Sequence, residues 1–209
     1  MEIGFLDILL GYLRYLFTTL EGWSFNFSLI YVILSIKKKT YSWFFAIIAS
    51  LFYGKVCLDY KLYPTAFLQG FFILSSMYGY MQWQKASLAT HQEKIKWHYT
   101  NLNRNGWIVI LSVTILLFGL IASTFAYFTK VGNILYIESF AAAGSLAGQF
   151  LSARRCLQNW YFWLVVNIVY VIVNLHQQLY LMTILYAIFV ILSIQGYYTW
   201  KKNEKMAQV

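Results

Sequence analysis

Apolar runs of about 16 to 22 residues recur along the whole chain between short polar breaks, the length an α-helix needs to cross a bilayer. They fall near 22–37, 41–60, 64–83, 107–128, 136–153, 160–176 and 180–199, which predicts seven helices. A β-barrel is disfavoured, because barrel strands alternate apolar and polar positions whereas 108–118 is almost continuously apolar. The one substantial polar stretch, 84–105, carries Lys85, Glu93, Lys94, Lys96 and Arg104 and separates three runs from four. It reads as an extramembrane linker, not a domain.

Residues 1–21 show a different pattern. Gly4, Asp7, Gly11, Arg14, Thr18 and Glu21 recur at spacings of three and four, forming one polar and small-residue stripe opposite Phe5, Leu6, Leu9 and Leu13. This predicts a short amphipathic helix lying at the membrane interface. The competing reading is a spanning helix whose stripe faces the bundle, which would invert the whole topology.

Composition agrees with a membrane protein. Of 209 residues, 60% are hydrophobic and 11% charged, and the mean hydropathy is +0.58. A soluble domain carries roughly 25% charged residues, so a soluble globule is excluded. Cys57 and Cys156 are too few for a disulfide framework and are expected towards opposite membrane faces. The net charge of +9 sits in short clusters between apolar runs, which report orientation and not nucleic-acid binding. The N-terminus has acidic Glu2 and Asp7 where a signal peptide needs cations, so the start is expected to be retained.

The chain is also duplicated. Sliding it by 117 positions aligns 21–85 with 138–202 without a gap, pairing Glu21 with Glu138, Ser35 with Ser152, Trp43 with Trp160, Gly79 with Gly196, Tyr80 with Tyr197 and Trp83 with Trp200. Each copy holds three helices, and one further helix lies between them. The expected fold is therefore an all-α membrane protein of seven transmembrane helices in 3+1+3 parallel repeats, preceded by the amphipathic helix. The parts are 1–21, repeat one 22–83, a cytoplasmic linker 84–106, a connecting helix 107–128, repeat two 136–200 and a cytoplasmic tail 201–209. Parallel repeats point to transport about an axis along the membrane normal. In this topology 12 Lys and Arg residues lie on the side of the linker and C-terminus and 4 on the other, which places the C-terminus in the cytoplasm and the N-terminus outside.

The 3+1+3 plan resembles the SWEET-type architecture, but SWEET sugar transporters typically bend the first helix of each repeat with proline, and this chain has one proline, Pro64, at the start of its third run. The segment Trp160-Tyr-Phe-Trp163-Leu-Val-Val-Asn167 is instead similar to the WxxWxxxN motif of the Pnu vitamin transporters. The endings Tyr78-Gly79-Tyr80-Met-Gln-Trp83 and Gln195-Gly196-Tyr197-Tyr-Thr-Trp200 also look like that family's repeat ends. The resemblance covers about residues 21–202. It implies uptake of nicotinamide riboside or a related vitamin by facilitated diffusion in a bacterial inner membrane, with intracellular phosphorylation trapping the vitamin, and a homotrimer among membrane lipids. It implies no cofactor.

The motif can be argued from physics beside the resemblance. Helical spacing puts Trp160, Trp163, Asn167, Tyr170 and Asn174 on one face, aromatic at one end and amide-bearing towards the middle. Such a face suits a flat ring joined to a hydroxylated sugar. A cationic pyridinium over an indole gains roughly 0.5–2 kcal/mol. An unpaired amide in hydrocarbon is costly, so Asn167, Asn174, Gln149 and Gln195 are expected to face a partner helix or a wet cavity. In repeat one the positions matching Trp163, Asn167 and Asn174 are Ala46, Ser50 and Cys57, which leaves room for an asymmetric ligand. Gln69, Tyr80, Gln82 and Trp83 are secondary candidates from that repeat.

Plainer readings stand beside these. Trp43, Trp83 and Trp200 lie at run ends, where indoles commonly anchor at headgroups, and Trp160 admits the same reading. Asn167 could serve an interhelical hydrogen bond, while Ser28, Ser35, Gly79 and Gly196 would permit close helix packing. No Asp or Glu lies near mid-run, since Glu21, Asp59 and Glu138 are near run ends, which favours uniport over proton coupling. No metal spacing, phosphate loop or nucleophile–base arrangement points to an enzyme. Thiamine is the alternative substrate, and a non-transporting membrane scaffold is the alternative from another class.

Overall fold

A computed structural model describes residues 11, 14–59, 63–93, 99–128, 134–176 and 180–205. The predicted N-terminal helix lies largely outside the described residues, as do Lys61, Lys94, Lys96 and Lys130. The structure is helical throughout its named elements: α1 (Leu20–Ile36), α2 (Ser42–Asp59), α3 (Tyr63–Glu93), α4 (Arg104–Phe128), α5 (Ile134–Ala153), α6 (Asn159–His176) and α7 (Tyr180–Lys205). Among the described residues, four have the length and apolar content to cross a bilayer, namely α2, α4, α6 and, over Met182–Lys202, α7; α1 is apolar but shorter.

Five of the seven predicted runs match helices to within a few residues at each end, while the seventh, α7, continues to Lys205. The third differs more. The 84–93 portion of the expected linker continues α3, because Gln84-Lys-Ala-Ser-Leu-Ala-Thr-His-Gln-Glu93 contains neither glycine nor proline and is rich in good helix formers. Pro64 falls in the first turn of that helix, where its missing N–H costs nothing.

The chain forms two compact units, Met1–Tyr80 and Met81–Val209. In the first, residues 14–18 are helical and Thr19 caps α1, its side chain accepting from the Gly22 N–H at 3.0 Å. The break is tight: a β-carbon on Gly22 would lie 2.5 Å from the Leu16 α-carbon. Asn26 Nδ2 donates to the Leu16 carbonyl at 2.9 Å, satisfying a carbonyl that the break exposes. α1 packs along α2, with Ser24 Oγ donating to the Ala49 carbonyl and Phe27 stacking on Phe45 and Phe52.

In the second unit α4 packs on α5, α5 on α6 and α6 on α7. α5 is built for close approach: Ala141, Ala143 and Ala153 are fully buried, and a β-carbon on Gly144 would meet Val166 at 2.7 Å. α4 is the opposite, with Ile115 and Leu116 exposed and only Ile110, Thr114 and Ala122 buried. An apolar face left open in this way belongs against lipid, not water.

The duplication is written into the backbone. α1 and α5 end in the same motif, with Lys38 (φ 59°) and Arg155 (φ 56°) in the left-handed region. The N–H groups of Lys38 and Lys39 reach back to the carbonyls of Ser35 and Leu34, and those of Arg155 and Cys156 to Ser152 and Leu151. The following turns match as well: Ser42 N–H donates to Lys39 and Asn159 N–H to Cys156. Both halves therefore deliver their second helix, and the tryptophan at its start, in the same way.

Among the described residues, a short strap has no counterpart in repeat one. Thr100 pairs with Cys156 in an isolated parallel bridge, its N–H donating to the Arg155 carbonyl and its carbonyl accepting from Leu157 N–H, each at 3.0 Å. Gln158 accepts from Leu102 N–H and donates to Asn101 Oδ1. Asn103 then caps α4 through Gly106 N–H at 2.8 Å. The end of the linker is thus fastened to the turn that leads into α6.

Candidate substrate-binding site

α6 carries the predicted stripe, and its five members have different surroundings. Trp160 is buried, with its six-membered ring against α7 at Gly196; a β-carbon there would lie 2.5 Å from the ring. It also meets Trp200 edge-on at 5.3 Å between centroids. Trp43 has the same relation to Gly79, at 2.6 Å. A pose repeated in the half that lacks Trp163 and Asn167 is a packing device of the duplicated fold. The expectation that Gly79 and Gly196 permit close packing is met, and indoles are what they admit.

Trp163 has no large counterpart in repeat one. It is half-buried, its Nε1 donates to Ser152 Oγ at 3.0 Å, and its ring lies 3.3 Å from where a Gly148 β-carbon would be. Asn167, buried one turn further on, donates from Nδ2 to Ser193 Oγ at 3.2 Å. Tyr170 stacks on Tyr186 at 4.7 Å between centroids. Asn174 turns back on its own helix, donating to the Tyr170 carbonyl at 2.7 Å. Its amide nitrogen is thus satisfied within α6.

The remaining candidates divide by unit. Gln149, on α5, is buried. Gln195 is exposed beside the buried Gly196 and does not share the inward side of α7 with Ser193 and Trp200. Gln82 is half-buried on α3. In the first unit Gln69 is buried with its side chain against Gly54, and Tyr80 packs on Phe44 at 4.8 Å.

The headgroup reading of Trp43, Trp83 and Trp200 is overturned, since all three are fully buried. Trp83 donates from Nε1 to the Ser152 carbonyl at 3.0 Å and packs on Trp200 at 5.9 Å. Their position at run ends reflects duplicated core packing at the ends of the helices, which composition alone does not distinguish from an interfacial belt.

Sequence reasoning missed Ser152 and Gly148 as parts of the site. The signal was in the duplicated register: Tyr31 and Ala46 in repeat one correspond to Gly148 and Trp163 in repeat two, an exchange of large for small across one helix pair. Tyr31 lies 5.6 Å from Trp43, so in repeat one the ring comes from α1 and in repeat two from α6.

Comparison with known proteins agrees with this architecture. A family model described as nicotinamide mononucleotide transporter matches residues 18–202. The nicotinamide riboside transporter PnuC of Escherichia coli (strain K12) is 23% identical over 189 residues, covering 80% of this chain and 79% of that protein, and the Shigella flexneri protein of the same name gives the same figures. A crystal structure of the vitamin B3 transporter PnuC superposes with a TM-score of 0.74 at 17% identity, covering 97% of this chain and 91% of that one, and so shares its fold. The chain belongs to the nicotinamide mononucleotide transporter family, and is a multi-pass membrane transporter and not an enzyme.

Proposed function

We propose that this chain carries nicotinamide riboside across a bacterial inner membrane by facilitated diffusion, binding it against the α6 face and exposing it alternately to each side. The observation that carries this reading is the half-buried Trp163 ring, held at Gly148 and Ser152, with the Asn167 amide one turn along the same helix. A pyridinium stacks on an indole face by dispersion and cation–π attraction, and ribose hydroxyls need amide partners. The names of the curated relatives agree with that ligand chemistry.

The finer expectations belong to the same reading. All seven helices cross the membrane in a 3+1+3 arrangement, and the C-terminus is cytoplasmic because Lys and Arg favour that side. Transport is uniport, with the acidic residues Glu21, Asp59 and Glu138 near helix ends, and cytoplasmic phosphorylation traps the vitamin. The assembly is a homotrimer.

Thermal stabilisation of the purified protein tests the substrate, because a ligand that binds the folded state raises its melting temperature by mass action. Nicotinamide riboside is expected to shift the transition, and thiamine, riboflavin and sucrose are not. A shift with thiamine alone would change the vitamin and keep the site. No shift with any of them would return the chain to the scaffold reading.

A further inference from the structure

We propose that Ser152 is a positioning residue that sets the orientation of the Trp163 indole for the ligand. The inference rests on the proposed role of Trp163 and adds a residue that acts through it. Ser152 lies in the last turn of α5 and is buried. Its single hydroxyl proton goes to the Gly148 carbonyl at 2.8 Å, so its lone pairs are left for the Trp163 N–H, which donates to it at 3.0 Å.

That order of donors fixes the ring. An indole N–H can only donate, and turning the ring over would take the N–H away from its acceptor in a site shielded from water. Gly148 supports the same pose, since its lack of a side chain lets the ring settle on the α5 backbone. The Ser152 carbonyl accepts from the Arg155 N–H that closes the helix end and also from Trp83 Nε1, each at 3.0 Å. Ser152 is therefore held through its backbone by one indole and holds a second through its side chain.

Repeat one provides the internal contrast. Ser35 occupies the corresponding place and is equally buried, but Ala46 stands where Trp163 does. A serine needed only to end the helix would matter equally in both halves. One needed to orient an indole would matter in repeat two alone.

The test is nicotinamide riboside affinity of the purified full-length protein by calorimetry, in a cycle of Ser152→Ala, Trp163→Phe and the double variant, with Ser35→Ala alongside. Trp163→Phe keeps a flat ring but has no N–H to hold. Ser152→Ala is expected to weaken binding roughly tenfold, the scale of one hydrogen bond, and to add nothing in the Trp163→Phe background. Ser35→Ala is expected to leave affinity unchanged. Unchanged affinity in Ser152→Ala, a loss that persists in the double variant, or an equal loss from Ser35→Ala would overturn the proposal. Normal affinity in Trp163→Ala would instead remove the proposed site, and the positioning role with it.

Discussion

The six-membered ring of Trp160 rests against Gly196 so closely that a single added methyl on the glycine would lie 2.5 Å from ring carbons. The backbone on one side and a large rigid ring on the other leave little room to yield. Gly196→Ala is expected to destabilise the protein by about 1–3 kcal/mol, the range for overpacking a close-packed interior. Gly79→Ala should do the same through Trp43. Melting temperatures in detergent would decide it, and wild-type values for both variants would contradict the packing.

The two tryptophans of the motif should separate by experiment. Trp160→Ala removes a buried ring from the contact with α7 and is expected to lower stability by about 3–5 kcal/mol. Trp163→Ala empties a half-buried position and is expected to abolish saturable uptake of nicotinamide riboside while folded protein remains. Uptake in cells and size-exclusion profiles of both variants would check this. Normal uptake by Trp163→Ala is the outcome against it.

Asn167 and Ser193 give a graded case. Ser193→Ala leaves the Asn167 amide without its partner on α7, and hydrogen bonds between membrane helices average roughly 0.6 kcal/mol, so a small fall in stability is expected. Asn167→Ala should reduce affinity by more than its effect on stability accounts for. Equal effects on both quantities would make Asn167 a structural residue only.

The strap offers a prediction remote from the ligand. Thr100→Pro removes the N–H that donates to the Arg155 carbonyl, and Gln158→Ala removes the partner of Leu102 N–H and Asn101. Each should lower the melting temperature by an amount corresponding to about 1–2 kcal/mol. The matching change in repeat one, Tyr41→Ala, falls on an exposed side chain and should have little effect. Comparable losses at positions 41 and 158 would mean that the strap adds nothing to the turn.

Much of this arrangement was legible in the sequence because hydropathy sets helix positions and an ungapped register sets the repeat. The stripe on α6 followed from helical spacing alone. What pairwise contact decides was not legible. Whether Trp83 and Trp200 sit in headgroups or in the core depends on which helix faces them, and both positions look alike in one dimension. Asn174 bonding to its own backbone is likewise a choice of rotamer that spacing does not specify. The extension of α3 to Glu93 was concealed by polarity, since a charged helix beyond the membrane has linker composition but helical propensity.

Lys38 and Arg155 occupy a backbone conformation that glycine adopts freely and that costs other L-residues roughly 1–2 kcal/mol. Burial further pulls the Arg155 guanidinium below its ordinary pKa. Both copies of an ancient duplication nevertheless carry a cation at this point. On the proposed orientation these are cytoplasmic charges at the bend of the first hairpin in each half, on the side that the excess of Lys and Arg marks. The first hairpin of both halves is thus closed by the same strained, positively charged residue.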